Sequence, residues 1–191
     1  MTDDSRVLYL LACAAPPAQH LTTGITLAQQ AGWDVCLILS PSAYTWQSQE
    51  QLGDLETLTG HPIRYTYKRP GTEDSLPPAD AMLVAPATFN TLNKWAAGIA
   101  DTLLLGLVTE AIGLQLPVVV LPYLNAAQAA HPTLPTSVAF LRSAGISVLL
   151  GGDGFIPHVP QHGDVDRYPW TAAIDALPRR AAPNGIRPAK S

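Results

Sequence analysis

Six short runs of β-branched and aliphatic residues recur along the chain, and longer, more polar stretches separate them. Several of these runs are apolar at every position, which is typical of strands in a parallel sheet that helices cover on both faces. We therefore predict six strands, at residues 7–12, 35–39, 63–68, 81–85, 118–121 and 146–150.

The spacing of apolar residues predicts helices between most of these runs. One helix is predicted within residues 18–31, and Gly32 marks its end. Ser42 is predicted to cap a second helix, which runs to residue 52. Asn90 is predicted to open a long helix that reaches residue 107 and that Gly98 divides in two. Shorter helices are predicted at 135–145 and 168–177.

The alternation of strands and helices predicts a single-domain α/β fold with three layers, doubly wound and Rossmann-like, around a mostly parallel six-stranded sheet. The connection at 69–80 is rich in proline and lacks a helical pattern, so we expect it to cross to the other half of the sheet. The strand order then reverses near the fourth strand, and ligands bind at the strand ends beside such a reversal. The segments expected to meet there are 13–16, 40–43, 86–91 and 122–125.

Composition and charge narrow the possible partners. The chain has 191 residues, 47% hydrophobic and only 14% charged, so some apolar surface is expected to lie between chains. Residues 1–177 carry seven basic and fifteen acidic residues, and this negative charge disfavours nucleic acid as a partner. The basic, proline-rich stretch 178–191 is predicted to be disordered. The acidic start and the short apolar runs predict a cytoplasmic protein with no membrane partner.

The loops at the strand ends limit the chemistry further. The chain has neither GxGxxG nor GxxxxGK[ST], which argues against dinucleotide and P-loop nucleotide binding, and the positions of Cys13 and Cys36 indicate neither a disulfide nor a metal site. The loop PATFNT places Thr88, Asn90 and Thr91 at the predicted start of a helix. These side chains and the free N–H groups there suit an anion such as phosphate, or they cap the helix and bind nothing.

The stretch 79–104, ADAMLVAPATFNTLNKWAAGIADTLL, resembles the PASANT segment of the homo-oligomeric flavin-containing cysteine decarboxylases. That family includes phosphopantothenoylcysteine decarboxylase and the peptidyl-cysteine decarboxylases of lantibiotic maturation. The matching residues are Pro86, Ala87, Asn90, Thr91 and the GIAD at 98–101. Two further elements resemble the family: SPSA at 40–43 followed by Trp46, and PYLN at 122–125 followed by Pro132.

The resemblance implies that residues 1–177 form a flavoprotein domain, with FMN bound non-covalently between subunits of a homotrimer or a multiple of trimers. It places the side chains of Thr88, Asn90 and Thr91 at the phosphate of FMN. It places Ser40, Ser42, Phe89 and Tyr123 along the ribityl chain or the ring, with Cys13 and Ala14 where the family has Gly-Ser.

The resemblance also implies oxidative decarboxylation of a cysteine-derived or related carboxylate, either a small molecule or a peptide, which Asn125 would hold by its carboxylate. The family's catalytic His falls at Thr72 here, so the catalytic residues stay unassigned. Gln128 and Ala129 replace a Met-Trp pair, and the flap at 151–160 has no Cys, which disfavours phosphopantothenoylcysteine. Because the His is missing, a non-catalytic, FMN-binding or regulatory flavoprotein is the alternative.

Overall fold

The computed structural model describes residues 6–152 and 154–179. Its sheet has five parallel strands in the order β2-β1-β3-β4-β5, so the strand order reverses between β1 and β3, as predicted. The strands are β1 (Arg6–Ala12), β2 (Trp33–Leu39), β3 (Ala81–Ala87), β4 (Val118–Pro122) and β5 (Ser147–Val148). This topology makes the C-terminal ends of β1 and β3 the expected place for a ligand.

Helices cover both faces of the sheet and complete the predicted three-layer, Rossmann-like α/β fold. On one face α1, α3 and α8 pack together, and on the other α4 packs against α5 and α7. The helices are α1 (Leu21–Gln30), α2 (Pro41–Thr45), α3 (Gln49–Thr59), α4 (Phe89–Ala96), α5 (Leu103–Gly113), α6 (Ala126–Ala129), α7 (Thr133–Ser143) and α8 (Trp170–Asp175). In the described part of the chain, none of them has both the length and the apolarity that a membrane crossing requires.

The unbroken apolar runs form strands because both sides of each strand are buried. Leu8, Leu10 and Leu83 in β1 and β3 are 0% exposed, as is Val120 in β4. Removing each of these side chains from water contributes about 2 kcal/mol to folding. The core therefore lies along the middle three strands, whose C-terminal ends lead directly into the loops described below.

The prediction of six strands is wrong at residues 63–68. Arg64 alone makes a bridge there, to Ile38 at the outer edge of β2. The neighbouring side chains are used elsewhere: Arg64 and Lys68 pair with Asp74, and Tyr65 stacks on Tyr44 with ring centroids 3.6 Å apart. These side-chain contacts fix the segment as a loop against the sheet edge, and the sheet has five strands.

Several helix boundaries also differ from the sequence pattern. Ser42 is not a cap, because Ser40 caps α2 and Ser48 begins α3 through a reciprocal capping box. Thr88, and not Asn90, caps α4. Gly98 has a φ of 73° and separates α4 from α5, as predicted. The predicted disorder of 178–191 lies almost wholly outside the described residues.

Candidate functional site

A cleft of about 470 Å³ opens where β1, β2 and β3 end. Its volume is in the range of small-molecule and cofactor sites. Eight residues predicted to bind the cofactor line it, namely Cys13, Ala14, Ser40, Ser42, Thr88, Phe89, Asn90 and Thr91. The fold thus brings together three loops that are distant in sequence. The role of these residues in cofactor binding stays a prediction.

The loop between β3 and α4 places two threonines at the start of the helix. The N–H of Thr91 donates to Oγ1 of Thr88 at 3.3 Å, and the two hydroxyl oxygens lie 3.0 Å apart. Asn90 lies between them in sequence and is exposed to the cleft. The first-turn N–H groups of α4 and these polar side chains face the same space, an arrangement that favours a bound anion.

Cys13 lies beneath these threonines and is 2% exposed. Its Sγ is 3.1 Å from Oγ1 of Thr91. Burial raises the pKa of the Cys13 thiol, and hydrogen bonds with Thr91 and Thr88 oppose that rise only in part. The thiol therefore keeps its proton near neutral pH.

The loop after β1 offers few free backbone donors. The N–H of Cys13 donates to the carbonyl of Pro86 at 2.9 Å, and the N–H of Ala15 donates to the carbonyl of Cys13. Only the N–H of Ala14 within 13–15 has no backbone partner among the described residues. The cleft therefore depends on the α4 side for most of its donors.

The loop after β2 supplies hydroxyl groups to the opposite side of the cleft. Ser40 accepts a hydrogen bond from the N–H of Ala43 at 3.2 Å and keeps its own O–H available as a donor. Ser42 follows in the first turn of α2 and is exposed. These two hydroxyls suit the polar part of an elongated ligand.

Three further residues with charged or amide side chains line the cleft, and the family motifs gave them no role in binding: Lys94, Asp101 and Gln128. Lys94 forms an ion pair with Asp101 and is the one cation among the described lining residues. Lys94 lies three positions after Thr91 on α4, and that helical spacing predicts a shared face. The presence of Lys94 in the cleft could therefore have been predicted from its spacing to Thr91.

Asn125 and Gln128 are joined by a reciprocal capping box at the start of α6. Oδ1 of Asn125 accepts from the N–H of Gln128 at 2.9 Å, and Oε1 of Gln128 accepts from the N–H of Asn125 at 3.0 Å. Both side-chain carbonyl oxygens are therefore used, and both NH₂ groups are left as donors. Gln128 lines the cleft, whereas Asn125 is half-buried and is not among the described lining residues. The N-x-x-Q pattern was the sequence signal for this pair.

Tyr123 is not among the residues that line the cleft. It is 8% exposed and packs against the rings of Phe155, His158 and Tyr168, with centroids 5.2, 5.0 and 5.9 Å away. Burial raises the pKa of its phenol, and nearby Asp164 raises it further. Its predicted place along a flavin stays a prediction.

Thr72 lies in an exposed loop outside the cleft lining, and its hydroxyl donates to the carbonyl of Arg69. The described lining residues include no histidine. The ring of His131 packs edge-on against Phe89, which lines the cleft, with centroids 5.4 Å apart. Across residues 6–152 and 154–179, no three His, Cys, Asp or Glu side chains are close enough to share a metal ion.

Comparison with known proteins connects this geometry to one family. The profile of the family described as Flavoprotein matches residues 9–169. A cysteine/cysteine sulfinic acid decarboxylase from an unidentified prokaryote is 38% identical over 76 residues, which is 40% of this chain and 20% of that protein. The phosphopantothenoylcysteine decarboxylase of Mus musculus is 45% identical over 67 residues, 35% of this chain and 32% of that protein. The aligned segments thus span a third or less of these relatives.

A solved structure shares the fold over nearly the whole chain. The FMN-dependent cysteine decarboxylase SpaF superposes with a TM-score of 0.61 and 22% identity, and the match covers 91% of this chain and 98% of that one. At this identity the superposition shows the fold. Together with the profile match, it confirms the resemblance predicted from the motifs.

Proposed function

Because the chain belongs to the Flavoprotein family, we propose that its cleft binds FMN and that it catalyses the oxidative decarboxylation of a cysteine-derived or related carboxylate. The observation that carries this proposal is the polar start of α4, where Thr88, Asn90 and Thr91 line one side of the cleft. The names of the relatives support the substrate class.

The residues present fit FMN. Its phosphate would lie against Thr88, Asn90 and Thr91, where side-chain donors and the first N–H groups of α4 suit a dianion. Ser40 and Ser42 would meet the ribityl hydroxyls across the cleft. The net negative charge of residues 1–177 repels an anionic ligand at long range, so this binding depends on short hydrogen bonds.

The substrate carboxylate would meet the amide pair formed by Asn125 and Gln128. Their reciprocal hydrogen bonds fix both amides and leave both NH₂ groups as donors, and a carboxylate has two oxygens to accept them. FMN bound in the cleft would supply a two-electron acceptor for oxidation of the cysteine side chain, and the oxidised side chain would then take up the electron pair released with CO₂. The two amides would hold the carboxylate until it leaves.

A flavoprotein that binds FMN without turnover is the second candidate. One observation favours it: Thr72, where the resemblance places the family's catalytic His, lies in an exposed loop and is not among the described residues that line the cleft. Both candidates require FMN, so a test of turnover distinguishes them.

Purified protein is expected to carry visible flavin absorbance or to gain it when FMN is added. Thr88→Val should reduce occupancy, whereas Thr57→Val, which alters an exposed threonine of α3 outside the cleft lining, should leave it unchanged. A protein that neither carries nor gains flavin would overturn both candidate functions.

Turnover is then measured as anaerobic bleaching of the flavin together with CO₂ release. The panel contains cysteine, cysteine sulfinic acid and peptides that end in cysteine. Bleaching with stoichiometric CO₂ supports the decarboxylase, and Asn125→Ala should abolish it while FMN stays bound. Bound FMN that no member of the panel bleaches supports the non-catalytic flavoprotein.

We also propose a cytoplasmic homo-oligomer, a trimer or a multiple of trimers. An open groove of about 580 Å³ between α4 and α7 is lined mainly by small and apolar side chains, and Phe140 at its edge is 49% exposed. Small side chains in the groove and the exposed ring of Phe140 allow another chain to pack closely against this face. Light scattering on the eluting protein measures the mass, and a strict monomer would contradict this proposal.

A further inference from the structure

The thiol of Cys13 is the inner end of a chain of hydrogen bonds that reaches the cleft. Its Sγ lies 3.1 Å from Oγ1 of Thr91, which lies 3.0 Å from Oγ1 of Thr88. Cys13 and Thr91 are 2% and 7% exposed, whereas Thr88 is half-buried and lines the cleft. The chain therefore runs from the protein interior to the place where an anion would bind.

The hydrogen bonds among these three side chains have one favoured direction of donation. Cys13 keeps its proton because burial raises the pKa of the thiol. A buried S–H needs an acceptor, and Oγ1 of Thr91, 3.1 Å from the sulfur, is the described hydroxyl oxygen in hydrogen-bond geometry with it, while Thr88 also lies close to the sulfur. Thr91 then donates its own O–H to Thr88, whose oxygen already accepts the N–H of Thr91. With two hydrogens accepted, the hydroxyl of Thr88 has its own proton left for the cleft.

Given the proposed binding of FMN, on which this role rests, we infer that Cys13 is a positioning residue for the phosphate: through Thr91, it holds the hydroxyl of Thr88 as a donor into the cleft. Without a donor at position 13, the Thr91 oxygen is free to accept from Thr88. The Thr88 proton then turns inward, and its oxygen presents lone pairs to the phosphate. Cys13 therefore acts on the phosphate through Thr91 and Thr88.

The affinities for FMN and for riboflavin, which lacks the phosphate, measure this effect. Cys13→Ala is expected to weaken FMN about tenfold or more and to change riboflavin less than about twofold, because one hydrogen bond to a charged group is lost. Cys13→Ser keeps a donor proton and should restore the ratio of the two affinities to within about twofold of the wild type. A loss of packing alone would weaken both ligands together.

The matched control is Cys36→Ala, since Cys36 is the other buried free cysteine among the described residues and lies in β2 away from the cleft. It should leave the ratio of FMN to riboflavin affinity unchanged. A ratio for Cys13→Ala within about twofold of the wild type would overturn the role of Cys13, as would a Cys13→Ser variant that behaves like Cys13→Ala.

The infrared S–H stretch tests the same role in the protein without ligand. The band that Cys13→Ala removes should lie at the frequency of a hydrogen-bonded donor, and Thr91→Val should shift it to that of a free thiol. A free-thiol band in the wild type would overturn the inference even if FMN binds. Conversely, a hydrogen-bonded band in a protein that does not bind FMN would confirm the bond from Cys13 to Thr91 but overturn the proposed function and, with it, the role of Cys13 toward the phosphate.

Discussion

Tyr168→Phe tests how the segment after β5 is attached to the sheet. The hydroxyl of Tyr168 donates to the carbonyl of Leu121 in β4 at 2.6 Å, and the residue is 4% exposed. Phenylalanine keeps the ring and its packing against Trp170, whose centroid is 5.1 Å away. The substitution therefore removes one buried hydrogen bond and little else.

The expected loss in free energy of unfolding follows from the burial of this hydrogen bond. A buried carbonyl that loses its donor costs about 1–3 kcal/mol, and we expect about 1.5 kcal/mol less free energy of unfolding for Tyr168→Phe. The control is Tyr67→Phe, which removes a hydroxyl that donates to the carbonyl of Thr102 at 3.1 Å. Tyr67 is 58% exposed, so water replaces this donor and the cost should stay below about 0.5 kcal/mol.

Urea unfolding at neutral pH, followed by tryptophan fluorescence, measures both variants. The slope of free energy against urea should be unchanged, so that the shift in midpoint reports stability. A cost for Tyr168→Phe below about 0.5 kcal/mol, or equal to that of Tyr67→Phe, would refute the idea that this bond holds the segment against β4.

Three further predictions concern the cleft and the core. Asn90→Asp should weaken FMN about tenfold or more through charge repulsion while riboflavin is nearly unaffected, and equal FMN affinity in a fluorescence titration would remove Asn90 from the phosphate site. Gln128→Met, a change of similar volume, should raise the KM for a carboxylate substrate about tenfold without changing FMN affinity, and an unchanged KM would exclude the amide from substrate binding. Burial raises the pKa of Cys36 and of Tyr9 to about 12 each, above the values of the unfolded chain. Their contribution to stability is therefore complete below about pH 9 and is lost as the pH rises toward 12, so the urea midpoint should fall from pH 8 to pH 10.5, and less so in Cys36→Ala.

The sequence predicted all five strands of the sheet and one strand that does not form. The runs that became β1, β3 and β4 were recognisable because buried strands are apolar at every position. The segment 63–68 has a plausible strand composition, yet it became a loop because its charged and aromatic side chains found partners outside the sheet. Such contacts depend on residues distant in sequence, so a local sequence pattern does not predict them.

Dependence on residues distant in sequence also explains why only part of the site could be predicted. The three loops that line the cleft follow from strand order, so the residues around Thr88 could be placed from the sequence. The packing of Tyr123 could not be predicted, because its ring neighbours come from the segment after β5. A Cβ on Gly163 would lie 2.1 Å from the hydroxyl oxygen of Tyr123, so a glycine forty residues away allows the ring to lie in the aromatic cluster.

The hydrogen bond from Arg6 to the carbonyl of Pro178, at 2.6 Å, joins the two ends of the described fold. Arg6 begins β1, and the cleft lies beyond the last residue of that strand, about 20 Å away. A fluorescent label attached at either of these two residues therefore lies at the end of the strands opposite the cleft. Arg6 and Pro178 are also close enough for a short linker to join them, so a circular permutant joined there, with new ends in the exposed loop around Gly71, should fold and keep its cleft intact.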